Sequence, residues 1–142
     1  MKQTKCIGGL LVALACAATY ADEPFTGTDY SGRYTCQGQD HSEGPYTGAV
    51  TLELVRQRSA GAYGAYLFKL EVPGYGAYPG HAAARGTSMA INFANTDTSQ
   101  KDYGTGIATF TRAPNGKWRF TKFYHQPEYK GGNYGTETCV QQ

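Results

Sequence analysis

Four runs in this chain alternate apolar and polar residues with a period of two. In "YTGAVTLELV", Val50, Leu52 and Leu54 share one face, with Thr51 and Glu53 on the other. In "AYLFKLEV" the apolar set is Tyr66, Phe68, Leu70 and Val72, opposite Lys69 and Glu71. "SMAINFA" groups Met89, Ile91 and Phe93, and "GKWRFTKFYH" sets Trp118 and Phe120 against Arg119 and Thr121. Such alternation puts every second side chain of an extended strand on one face. No stretch keeps an i, i+3, i+4, i+7 apolar pattern for three turns, and 19 glycines with 12 tyrosines do not suit a helical bundle. The class is all-β. Phe123 falls out of phase with Trp118 and Phe120, which predicts a bulge or strand end near Lys122. The same phase predicts that Trp118 is mostly buried.

Turn chemistry separates the runs. Ser59-Ala60-Gly61, Pro73-Gly74, Gly86-Thr87, Asn95-Thr96-Asp97 and Pro114-Asn115-Gly116 are all glycine, proline or asparagine punctuation. Asn115-Gly116 is the strongest hairpin signal among them. The pattern predicts eight strands, at 33–39, 47–56, 63–72, 78–85, 88–94, 104–112, 117–125 and 134–140. Short connections make sequence neighbours antiparallel, and a meander of this length removes both exposed edges by closing on itself. The expected architecture is a single eight-stranded antiparallel up-and-down barrel.

The first residues read as an export signal. Lys2 and Lys5 precede a short apolar run from Cys6 to Ala18, and Thr19-Tyr20-Ala21 places small residues at −3 and −1 of a cut before Asp22. The expected organisation is a signal peptide at 1–21 and one barrel domain at 22–142, periplasmic or secreted. Leu14-Ala15-Cys16 loosely resembles a lipobox, so a lipid-anchored form through Cys16 is the alternative. No second apolar run is long enough to cross a bilayer.

Removing the signal takes Lys2 and Lys5 from the 13 basic residues, leaving 11 against 11 acidic ones. A neutral domain with interspersed charge carries no electrostatic footprint for nucleic acid. Cys6 and Cys16 leave with the signal, and Cys36 and Cys139 remain. In an exported chain these two predict a disulfide, which would staple the first strand to the last at the barrel seam.

Two resemblances sit at the chain ends. Gly32-Arg33-Tyr34 is similar to the G-x-W start of lipocalin-like barrels, with tyrosine in place of tryptophan. Tyr34-Thr35-Cys36, with Cys139 close to the end, resembles the small barrels of the membrane-bound c-type lysozyme inhibitor family. These resemblances imply a barrel, with ligand carriage in the first case and inhibition of a lytic hydrolase in the second. The Ser-Gly-x-x-Tyr motif of the inhibitor family has no clean counterpart, since Ser59-Ala60-Gly61-Ala62-Tyr63 departs from it.

Catalytic patterns are absent from the sequence: His41, His81 and His125 have no metal-ligand spacing, and neither HExxH nor GxSxG occurs. No catalytic residue, cofactor or metal is expected. The segment "FYHQPEYKGGNYG" is the candidate functional edge, because its tyrosines join an apolar ring to a polar tip. Tyr75, Tyr78, Tyr124, His125, Glu128 and Tyr129 are the candidate binding residues, with Tyr129 at the loop tip. The expected function is a monomeric, non-enzymatic binding barrel taking a small or glycan-like ligand at one open end. The alternative is a protein-binding inhibitor of a lytic hydrolase, with an envelope protein as partner. An open interior would favour the first, and an interior filled by Phe68, Phe93, Trp118 and Phe120 the second.

Overall fold

The computed structural model describes residues 23–142; the expected signal peptide, and Cys16 with it, lies outside them. The chain forms a closed barrel whose eight strands pair in sequence order. They are β1 (Gly32–Asp40), β2 (Gly44–Leu54), β3 (Tyr63–Val72), β4 (Gly76–Arg85), β5 (Ser88–Ala94), β6 (Tyr103–Arg112), β7 (Trp118–Gln126) and β8 (Asn133–Gln141). β1 pairs with β8 to close the barrel, and Cys36 and Cys139 face each other in that register. Their sulfurs are bonded at 2.03 Å, across 103 residues of sequence. Among the described residues no helix is long and apolar enough to cross a membrane. The inward face is mostly apolar, apart from a few buried polar and charged side chains towards one end, and ion pairs such as Arg33–Glu71 and Lys69–Glu71 lie on the outer face.

Each strand pair holds a single register along its whole length, β6–β7 and β7–β8 included. The bulge expected near Lys122 is therefore absent. Strict alternation continues through it, so that Phe120, Lys122, Tyr124 and Gln126 all point inward and Phe123 points out, 48% exposed. The sequence expectation failed because it took the phenyl ring, not the ammonium, for the inward side chain. Trp118 is partly exposed at the end of β7 but mostly buried against the core, as expected, with the Arg112 guanidinium 4.2 Å above its ring.

The interior has two unlike halves. At one end Tyr30 enters from the segment preceding β1 and stacks on Phe110 at 4.0 Å between centroids. Its hydroxyl donates to the Gly86 carbonyl at 2.7 Å, and its own carbonyl accepts from the Tyr34 hydroxyl at 2.8 Å. Tyr34, Tyr66, Met89 and Phe120 fill the space around it, all essentially inaccessible. This end is plugged. Towards the other end, large rings alternate with inward glycines across the strands. Tyr46 lies opposite Gly38, Tyr124 opposite Gly106 and Gly135, and Phe93 opposite Gly80 and Gly104. A Cβ at Gly38 would lie 2.1 Å from the Tyr46 ring, so the rings fold inward only because these positions carry no side chain.

Candidate functional site

The second half ends in a mouth bordered by the β1–β2, β3–β4, β5–β6 and β7–β8 connections. At its floor the Lys122 ammonium lies 2.5 Å from Glu137 Oε2, with both side chains almost wholly inaccessible. The same ammonium faces the rings of Phe68, Phe93 and Tyr124 at 5.1, 5.7 and 5.6 Å from their centroids. Tyr46 donates its hydroxyl to the other Glu137 oxygen at 3.1 Å. Oε2 has no aligned hydrogen-bond donor, not even the ammonium, so the pair is held by charge and by the enclosing rings.

Above this floor runs a continuous polar belt. Asp40 accepts from the Tyr124 hydroxyl at 2.7 Å and from Asn133 Nδ2 at 2.8 Å, while its other oxygen takes the Ser42 and Glu43 backbone amides. Asn133 also donates to Gln126 Oε1 at 2.6 Å, and Gln126 donates in turn to Asp102. The Tyr78 hydroxyl completes the belt on Asp102 Oδ2 at 2.7 Å. Both aspartates are thus buried with neutral donors only. Burial raises the Asp102 pKa above the ordinary carboxylate range, against the lowering effect of its Tyr78, Asn95 and Gln126 contacts. Burial likewise raises the Tyr78 and Tyr124 phenols, which keeps them as donors.

The rim is tied by one residue. Glu43 accepts from the Tyr129 hydroxyl at 2.9 Å and the Tyr75 hydroxyl at 3.2 Å, and pairs with the Lys130 ammonium. Three connections are thereby joined through a single carboxylate. Its pKa is lowered, first by Lys130 and then by Tyr129. Tyr129 sits in a short 3-10 turn whose next residue, Lys130, has a left-handed φ of 48°. That turn brings the ring back over the mouth, so Tyr129 is 8% exposed and not at an open tip.

Beneath the rim is a cavity of about 50 Å³, enough for a few water molecules. Tyr75, Tyr78, Tyr124 and Tyr129 all line it, with Asp40, Glu43, Asp102 and Lys122. Four of the six candidate residues from the sequence therefore converge. His125 and Glu128 do not. Glu128 is exposed and holds Lys101 at 2.6 Å together with the Tyr103 hydroxyl. His125 faces outward in a row that runs Leu67, His81, Asn92, Thr105, His125, Tyr134 across successive strands. Tyr134 also points out, stacked 4.6 Å from His41.

The sequence reading missed Asp40, Glu43, Asp102, Lys122, Gln126 and Asn133 as mouth residues. Asp40, Lys122 and Gln126 sit in phase with the inward positions of their strands, and that parity was the signal available. Glu137 sits in phase with Cys139 in the same way. Cys36, Cys139 and Glu137 bring ligand-type atoms within 4.8 Å of one another, but the two sulfurs are spent on the disulfide. Chemically the mouth offers rings, protonated phenols and two buried carboxylates. In comparisons with known proteins, no family model matches the chain and no curated protein matches it.

Proposed function

We propose that this chain is an exported, non-enzymatic binding barrel that engages a protein partner of the cell envelope at its tyrosine-lined mouth. The observation that carries this reading is the filled interior. A whole small-molecule ligand needs a pocket of about 300–1,000 Å³, whereas the cavity under the rim is about 50 Å³. A space of that size takes one protruding group from a larger surface. Tyr75, Tyr78, Tyr124 and Tyr129 supply the ring-plus-hydroxyl surface that protein interfaces favour. In its most specific form the partner is a lytic hydrolase that the barrel inhibits, as the resemblance of Tyr34-Thr35-Cys36 and Cys139 to the lysozyme inhibitor family implies.

A small or glycan-like ligand is the second reading, and Tyr75 favours it. Its ring is 45% exposed at the rim, where it is open to stacking by a sugar face.

The test is affinity capture from envelope extract on the immobilised protein, run beside Tyr75→Ala, Tyr129→Ala and the outer-face control Phe123→Ser. Capture of a defined protein that the mouth variants weaken at least tenfold, and Phe123→Ser does not, supports the first reading. Inhibition of c-type lysozyme with the same variant dependence supports its specific form. A melting temperature raised by peptidoglycan fragments, without any protein captured, supports the second reading instead. Capture indifferent to both tyrosines overturns recognition at the mouth.

A further inference from the structure

The charges at the mouth do not balance. Glu137 is matched by Lys122 and Glu43 by Lys130, which leaves Asp40 and Asp102 facing the cavity with hydroxyl and amide donors alone. We propose that the mouth selects a basic side chain of its partner, a lysine or arginine whose charged head lies against Asp102 and Asp40 and whose alkyl stem runs along Leu70 and Val72. This rests on the reading that the mouth engages a protein.

Three observations carry it. The cavity is lined by apolar Leu70, Val72 and Phe93 as well as by the two aspartates, which suits a side chain that is a hydrocarbon stem with a cation at its end. Its volume of about 50 Å³ admits an ammonium or guanidinium head, not a sugar ring or a second aromatic. The third is the barrel's own lysine. Lys122 already sits beside Phe93 and Tyr124 with a carboxylate opposite, so this set of rings accommodates an ammonium wherever an acid faces it. A bound cation would also relieve Asp102, whose charged form burial disfavours.

The test is a titration of the folded, disulfide-bonded protein with Nα-acetyl-lysine amide, followed by NMR at Tyr78, Tyr124 and Tyr129. Nα-acetyl-norleucine amide, nearly isosteric but uncharged, is the control. The lysine probe should bind at least tenfold more tightly than norleucine, weaken several-fold with added salt, and lose at least fivefold in Asp102→Asn. Should Asp102→Asn fail to fold, the lysine-to-norleucine ratio and the salt dependence of the wild type decide. Equal binding of the two probes, or shifts confined to the outer face, overturns the inference. Tighter binding of butane-1,4-diamine than of the lysine probe assigns the site to a free amine and overturns the protein source. A partner captured through Tyr75 and Tyr129 but indifferent to lysine refutes the basic side chain and leaves recognition at the mouth standing. Capture indifferent to those tyrosines removes the reading beneath it.

Discussion

Lys122 and Glu137 form an ion pair of 2.5 Å inside the barrel, from side chains 1% and 0% exposed. They are cross-strand partners of β7 and β8, so the sheet itself aligns them. A pair so enclosed contributes little by itself, because desolvation offsets the attraction, but removing one partner strands the other. Lys122→Met should lower unfolding stability by about 3–5 kcal/mol. Lys122→Met combined with Glu137→Gln should recover most of that. Urea denaturation of the single and double variants checks it, and an additive double variant would contradict the pairing.

The disulfide closes a loop of 103 residues between the strands that seal the barrel. Replacing both cysteines with alanine should cost about 4–5 kcal/mol in the chain-entropy account. The far-ultraviolet spectrum should stay that of a β-barrel, since register and core do not depend on the bond. Guanidinium midpoints of the two forms measure the difference.

Gly135 is a close packing constraint beneath Tyr124. A Cβ there would lie 2.2 Å from the Tyr124 hydroxyl and 2.7 Å from the Gln39 carbonyl. Gly135→Ala should displace Tyr124 from Asp40 and destabilise by about 1–3 kcal/mol, as overpacking does. Thermal melting reports the loss, and new NMR shifts at Asn133 and Asp40 report the displaced ring.

Trp118 lies edge-on to Tyr30 at 4.8 Å and under Arg112 at 4.2 Å, with part of its ring in solvent. Its fluorescence should be intermediate between buried and water-exposed values. Arg112→Ala should shift the emission to the red. Trp118→Ala should cost about 1–2 kcal/mol, short of the roughly 3–5 of a fully buried aromatic.

Two carboxylates at the mouth respond to pH in opposite senses. Asp102 has a raised pKa through burial, so the fold binds its proton more tightly than the unfolded chain does. Its ionisation costs stability as pH rises through that raised value, and acidification restores it. Glu43 has a lowered pKa, chiefly through Lys130. Its contribution is full above the ordinary carboxylate value and is lost as pH falls through the lowered one. Melting temperature against pH should flatten on the upper limb in Asp102→Asn and on the lower limb in Glu43→Gln.

How far the sequence reaches can be judged strand by strand. β3 and β5 match the alternation residue for residue, since Tyr66, Phe68, Leu70 and Val72, and Met89, Ile91 and Phe93, are all buried. In β7 the predicted phase of Trp118 and Phe120 continues unbroken past Lys122; the expected break is absent because the pleat keeps Lys122 inward although hydrophobicity ranks Phe123 above it. Tyr75, Tyr78, Tyr124 and Tyr129 were legible as candidates by composition and loop position. His125 and Glu128 lie beside these tyrosines in sequence, but the strand's pleat and the turn after it direct both away from the mouth.

The sequence by itself determined the all-β class, the eight strands, their order and the pairing of Cys36 with Cys139. Those depend on local alternation, turn residues and the scarcity of cysteine, all properties of short windows. Only the tertiary structure decided which end is plugged, that Tyr30 plugs it, and that Lys122 meets Glu137 inside. Those outcomes need strands far apart in sequence to be brought side by side. Glu43 is 32 residues from Tyr75 and 86 from Tyr129, and only barrel closure puts all three on one rim.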